Sequence, residues 1–436
     1  MEPGFEDSLS ETARIARDLI RIDTSNRGGG DAEPERPAAD YVAAYLSELG
    51  LEPTIIESAP GRASVITRIE GREPELPALV LHGHLDVVPA DPANWSVDPF
   101  AGVIKDGMLW GRGAVDMKDM DAMMLTSVAE ILRSGDRPRR TIILTFFADE
   151  EAGGGLGSQF LVENHPELFA GAGTAISEVG GYSIDVSGER AYLIQTGEKA
   201  LDWIRIRARG TAAHGSRLWP DNAVTRIAEA VVALGRKQWP VGLTNTTREL
   251  IAALAEILGE DPQEVSPTEL IMSLGSGGGF IQASLQTTTN PTVLQAGYKH
   301  NVIPDTAEAL IDVRALPGEQ ELVRSQLQEI VGDDIEIEYL TSGIGFEVPF
   351  EGEAIDAMKA VLEKHDPGAK VLPYLLSGGT DNKWLSMLGI TGYGFVPLRL
   401  PKDLDFPGMF HGVDERVPLD ALDFGHRVLV DLLRTY

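Results

Sequence analysis

The strongest constraint on this chain is a series of short apolar runs, each of which ends on histidine or carboxylate. Leu79-Val80-Leu81 runs into His82-Gly-His84-Leu-Asp86, and Thr141-Ile-Ile-Leu-Thr-Phe-Phe147 runs into Ala148-Asp149-Glu150-Glu151. Ala175-Ile-Ser177 runs into Glu178. Continuous apolar runs of this length are consistent with strands buried on both faces. Helical spacing at Met120–Ser134 and elsewhere separates them, and strands alternating with helices predict a doubly wound, mainly parallel sheet. Ligand sites in such sheets gather at the strand ends. Acids there bury their charge unless cations neutralise it. Two further clusters carry the same chemistry: Gly111-Arg-Gly-Ala-Val-Asp116-Met-Lys-Asp119, ahead of a helix, and Phe410-His411-Gly-Val-Asp414-Glu415.

Taken singly, each cluster has a duller explanation, a hydrogen-bonded core histidine or a solvated acidic turn. Their recurrence at successive strand ends, in a chain with eight histidines, favours a bound metal. The chain has no cysteine, so any metal is held by His, Asp and Glu, a set that suits Zn²⁺, Co²⁺ or Mn²⁺. A net charge of −30 disfavours nucleic-acid and anionic-membrane partners. The N-terminal MEPGFEDSLSE lacks the apolar core of a secretory signal, and no run of 18 apolar residues occurs. The expectation is a cytoplasmic protein.

At 436 residues two domains are expected. The chain opens with a helical spacing at Ser8–Ile22, capped by Ser8 or Ser10, and a second helix over Ala38–Leu49. After Gly197 the pattern changes. Leu201–Ala208 alternates like a half-exposed strand, followed by a helix at Asn222–Lys237 and strands at Thr292–Lys299 and Ala307–Val313. A helix at Glu319–Val331 and a strand at Ile335–Leu340 complete a β-α-β-β-α-β, ferredoxin-like order. Helices at Ala354–Lys364 and Leu419–Leu433 then return to α/β character. The predicted organisation is a catalytic domain in two parts, 1–197 and 343–436, with an inserted α+β domain at 198–342. Residues 240–290 interrupt the insert. Met272, Phe280 and neighbouring Leu and Ile residues there could line an apolar acyl pocket or form the core of an extra helix pair.

The segments HGHLDVVP, GRGAVDMKDM, FFADEEAGG, AISEVGG, TAAHGS, HNVIP, SGGTDN and FHGVDE resemble, in order, the motifs of the M20 family of di-metal aminopeptidases, carboxypeptidases and aminoacylases. The resemblance implies an inserted lid and dimerisation domain and two metal ions, usually zinc, bridged by Asp116. One ion takes His84 and Glu178, the other Glu151 and His411. It further implies that Asp86 accepts a hydrogen bond from the His84 imidazole and that Glu150 is the general base. An extended backbone at 150–151 would let the two neighbouring carboxylates point apart. His214 matches the lid histidine that stabilises the oxyanion, supplied by the other subunit in dimeric members; alone it reads as a loop histidine. Asn301 and Arg314 match the substrate-binding pair, thirteen residues apart. Gly378, Gly379 and Thr380 match the loop whose free N–H groups contact the substrate, with a structural turn as the competing view.

The implied reaction is hydrolysis of an amide next to a free carboxylate, in a small peptide or an N-acyl amino acid. The alternatives are a di-metal hydrolase of carbamoyl or ureido groups and a non-catalytic binding protein on the same fold. Glu rather than Asp at 178 bears on subclass. A homodimer through the insert is suggested, with Leu201–Ala208 as an exposed edge that pairs with a second copy, unless 240–290 occupies that edge.

Overall fold

The computed structural model describes residues 9–274 and 276–436; Ser8, Gly275 and the side chain of Phe280 lie outside them. Its larger sheet has ten strands, in the order 54–59, 62–69, 142–147, 78–84, 172–177, 391–394, 189–198 and 346–347, with 370–376 and 183–186 also paired to 189–198. The centre is parallel: Ala78–His84 lies parallel to both Ile142–Phe147 and Ala172–Ser177, and Thr391–Gly394 is parallel to the latter. The outer pairs at 54–69 are antiparallel.

Every residue of Ala78–His84 and of Ile142–Phe147 is buried. Alternate residues of one strand enter different cores. Leu79, Leu81, Leu144 and Phe146 pack on one face, and Ala78, Val80, Ile143 and Phe147 on the other. That two-sided burial is why the runs read as unbroken apolar stretches. Helix Lys118–Arg133 lies against the first face, wedged between Glu11–Ile20 and Leu419–Thr435. Ser10 caps Glu11–Ile20 by accepting from Ala13 N–H. Among the described residues no helix is long and apolar enough to cross a membrane.

The second sheet has four antiparallel strands in the order 288–296, 306–315, 200–209, 335–339. With helices Ala223–Gly235 and Gln320–Val331 this is the expected β-α-β-β-α-β succession. Ile204, Ile206, Ile227, Leu234, Ile311, Val313 and Leu327 form its core. Two expectations fail here. Ala200–Arg209 is not an edge, because the split order places the first strand between the third and the fourth. The edges are Ile335–Tyr339 and Thr288–Ala296, the latter starting four residues before the expected Thr292; Pro291 is absorbed at a bulge there, as an edge strand permits.

The 240–290 segment forms helices Asn245–Leu258, Pro267–Met272 and Ser276–Gln282. Leu250, Ile251, Leu254, Leu270, Ile271 and Ile281 join the core of the larger sheet rather than the edge of the smaller one. Met272 is exposed, so the helix-core account holds for the described side chains. Leu254→Ala is expected to lower the unfolding free energy by about 2–5 kcal/mol. Met272→Ala should change it by less than about 0.5 kcal/mol in the same denaturant titration.

Candidate metal centre

The parallel centre of the larger sheet puts three strand ends side by side. His84 sits opposite Phe147 in register, the turn carrying Glu150 and Glu151 follows Phe147, and Glu178 follows Ser177 on the other neighbour. Asp116 reaches the same edge from the loop before helix Lys118–Arg133, and His411 from the chain after Pro407–Met409. His84 Nε2 lies 3.1 Å from Asp116 Oδ1 and 3.5 Å from Glu178 Oε2. His411 Nε2 lies 3.3 Å from Asp116 Oδ2 and 3.1 Å from Glu151 Oε2. The two oxygens of Asp116 therefore face two different histidine–glutamate pairs.

Within each triad, His84–Asp116–Glu178 and Asp116–Glu151–His411, the donor atoms lie within 4.8 Å of one another. The donor set fits two divalent ions sharing one carboxylate: imidazole nitrogen and carboxylate oxygen, one histidine per centre. Charge points the same way. Burial pushes the Glu151 carboxyl up to about 7 and the Glu178 carboxyl well above the usual range. Hydrogen bonds to Asp116 and Glu151 raise the His411 imidazole to about 11. Burial opposes charge on His84, yet Glu178, Asp116 and Asp86 hold it well above the ordinary histidine value. Such a set favours added positive charge, which divalent cations supply.

The residues around the ligands differ from expectation in three places. First, Glu150–Ala152 is a short 3₁₀ turn after Asp149 at φ 67°, not an extended stretch, so turn geometry separates Glu150 from Glu151. Second, His84 Nδ1 pairs with the backbone carbonyl of Asp86 at 2.9 Å, while the Asp86 carboxylate is 3.6 Å away. That carboxylate instead accepts from the N–H groups of Glu150 (3.0 Å) and Glu151 (3.1 Å) and from Asn26 Nδ2 (2.9 Å). Asp86 thus holds the turn, because a strand-to-turn junction buries N–H groups that need acceptors. Third, the Thr380 N–H is not free: it and Oγ1 donate to Glu198 Oε2 at 3.0 and 2.7 Å.

His214 and Asn301 are brought together, since Ala213–His214 pairs with Val302–Ile303 and Gly215 N–H donates to the Asn301 carbonyl at 3.0 Å. Both are exposed and neither belongs to the ligand triads. Arg314 is gripped by Asp312 through two bonds of 2.8 and 3.1 Å and donates to the Ser377 carbonyl at 2.9 Å. It is thereby tied to the loop of Gly378, Gly379 and Thr380. His82, read as structural, is fully buried and pairs with Asn382.

Several residues were given no role in the sequence reading. Glu415 is fully buried and accepts from the N–H groups of Gly113, Val115 and Asp116 and from Arg112 Nη1 at 2.7 Å. Arg112 also donates to the Gly412 carbonyl at 2.9 Å, coupling the Asp116 loop to the His411 loop. Arg62 and Asn26 clamp Asp149 Oδ1 at 2.8 and 3.0 Å. Lys383 Nζ lies 3.7 Å from Glu150 Oε1 and donates to the Thr380 carbonyl at 2.9 Å. Burial opposes its charge, but Glu150, Glu198 and Asp381 hold the ammonium above its ordinary value. A lysine next to Gly-Gly-Thr-Asp-Asn was the only visible signal.

Residues 80–435 match Peptidase family M20/M25/M40. Human aminoacylase-1 is 27% identical over 398 residues, covering 88% of this chain and 87% of the relative. The N-fatty-acyl-amino acid synthase/hydrolase PM20D1 of Xenopus tropicalis is 26% identical over 424 residues, covering 92% and 80%. The M20 family metallo-carboxypeptidase Sso-CP2 of Sulfolobus solfataricus superposes with a TM-score of 0.76 at 18% identity, covering 98% and 99% of the two chains. With the two carboxylate–histidine triads on one sheet edge and the match spanning residues 80–435, this chain belongs to peptidase family M20/M25/M40.

Proposed function

We propose that this hydrolase cuts the amide bond next to a free carboxylate in small peptides or N-acyl amino acids. The observation that carries it is Asp116 sharing its two oxygens between His84–Glu178 and His411–Glu151, with Glu150 beside them. Aminoacylase-1 and PM20D1 among the relatives support N-acyl amino acids as the substrate class. The ligand set supports two divalent ions, zinc in this proposal, with cobalt or manganese able to replace it. When bound, such ions polarise the scissile carbonyl and make water acidic enough to attack near neutral pH.

The remaining work falls to the chain. Glu150 takes a proton from the attacking water and delivers one to the leaving nitrogen. Lys383 holds the Glu150 carboxylate in place from behind. Asp86 fixes the turn through the Glu150 and Glu151 N–H groups. Arg314, Asn301 and the loop of Gly378, Gly379 and Thr380 receive the substrate carboxylate and backbone, the Arg314 guanidinium exchanging its bonds to Asp312 and Ser377 for the incoming carboxylate. His214 donates to the tetrahedral oxyanion.

Residues 198–342 serve as lid and dimerisation domain between the catalytic parts 1–197 and 343–436. In a homodimer His214 acts on the partner's site; its exposure, and the exposed Val293 and Leu294 on the edge strand Thr288–Ala296, support that arrangement. A cytoplasmic location belongs to the same proposal, for a thiol-free chain needs no oxidising compartment.

Hydrolysis of a mixed panel of dipeptides and N-acyl amino acids by the metal-loaded protein is the direct test. Chelation should abolish amine release and lower Tm by about 5 °C or more, both restored by Zn²⁺. A loaded protein that releases no amine from any member would overturn the proposal. Glu150→Ala is expected to lose about 10²–10⁴-fold in kcat while retaining two metal equivalents by elemental analysis. Arg314→Ala should lower kcat/KM by roughly 10- to 100-fold, and a change of only two- or threefold would remove Arg314 from the carboxylate site.

A further inference from the structure

A cavity of about 380 Å³ opens beside the glycine loop, where the chain crosses into and out of the smaller sheet. Its walls include Leu201, Trp203, Leu340, Ile344, Gly379 and Trp384, and Lys383 also borders it. We infer that this cavity is the specificity pocket for the side chain of the residue that bears the free carboxylate, and that it selects an aromatic or large aliphatic side chain. The inference rests on the function proposed above.

Position supports it from three sides. Leu201 is the direct register partner of Arg314, so a carboxylate held at Arg314 places its α-carbon beside that wall. Gly379 belongs to the loop that Arg314 contacts through Ser377. Lys383 joins the cavity to Glu150, the group that protonates the leaving nitrogen. Carboxylate and leaving nitrogen sit on the same α-carbon, and the cavity lies between the residues assigned to each.

Wall chemistry sets the class of side chain. The Trp384 indole N–H is bound to the Gly153 carbonyl at 3.0 Å and that of Trp203 to Asp312 at 3.2 Å. Lys199, also on the wall, donates to the Ala283 and Gln286 carbonyls at 3.0 and 2.8 Å. Lys383 is engaged by the Thr380 carbonyl and Glu150. Of the other polar side chains on the wall, Gln159 donates to Glu163, Thr341 accepts from the Trp203 N–H and Ser342 accepts from Arg324, so rings and aliphatic carbons make up most of what remains to contact a ligand. A charged side chain would lose hydration without gaining a partner, whereas an aromatic or branched one buries its surface. The volume lies near the small end of ligand sites, enough for one side chain.

The test is a series of N-acetyl amino acids with Gly, Leu, Phe, Trp, Asp and Lys, assayed with the metal-loaded full chain. Phe and Leu are expected to exceed Gly by roughly 10- to 100-fold in kcat/KM, with Asp and Lys at or below Gly. Ile344→Trp, which narrows the cavity, should cut the Phe/Gly ratio at least about tenfold. Inhibition by free phenylalanine against free glycine in the wild type gives the same comparison without a variant. A flat series, or preference for a charged side chain, overturns the pocket while amide hydrolysis stands. No hydrolysis of any member by protein holding two metal equivalents overturns the function proposal and the pocket with it.

Discussion

The structure is organised around the cost of burying carboxylates at one end of a parallel sheet. Asp86, Asp116, Glu151 and Glu178 crowd an edge from which water is largely excluded, with Glu150 beside them. Each anion needs a donor or a cation, and the fold assigns one to each. Asp86 is met by backbone N–H groups and Asn26, while Asp116, Glu151 and Glu178 are met by imidazoles and are arranged for metal. Glu150 faces a lysine instead.

A second layer of buried polar groups keeps that edge in place. Glu415 gathers three backbone donors of the Asp116 loop, and Arg112 ties the same loop to the chain bearing His411. Lys118, fully buried, caps the end of the first helix by donating to the Leu19 and Ile22 carbonyls. Arg62 pairs with Glu35 at 2.6 Å and with Asp149, pinning the turn that carries Glu150. Glu198, at the end of strand 189–198 of the larger sheet, reaches Thr380 in the glycine loop. Through Lys383, which contacts Thr380 and Glu150, this bond links the crossing between sheets to the turn that carries Glu150.

Much was legible in the chain because it follows from local pattern. Two-faced burial produces unbroken apolar runs, and the half-exposed strand Ala200–Arg209 produces alternation, so both sheets could be read from periodicity. The candidate ligand residues were visible because strand ends seldom carry histidine and acid without use. Their partners were not visible. Glu415 is 299 residues from the Asp116 N–H it accepts, and Lys383 is more than two hundred residues from Glu150. No period or motif encodes a hydrogen bond across such a distance.

By itself, then, the sequence determined the element types, their β-α-β-β-α-β succession in the smaller domain and the clustering of histidine and acid at strand ends, because those depend on residue type and short-range spacing. Tertiary structure decided which strands became neighbours. It placed Ala200–Arg209 inside its sheet and the 240–290 helices on the larger core. It also set the Asp86 carboxylate on the Glu150 and Glu151 N–H groups and left the Asp86 backbone carbonyl to pair with the His84 ring. The reason is common to all three: burial and hydrogen-bond satisfaction are settled by whatever packs from far along the chain, and that is fixed only when the whole core closes.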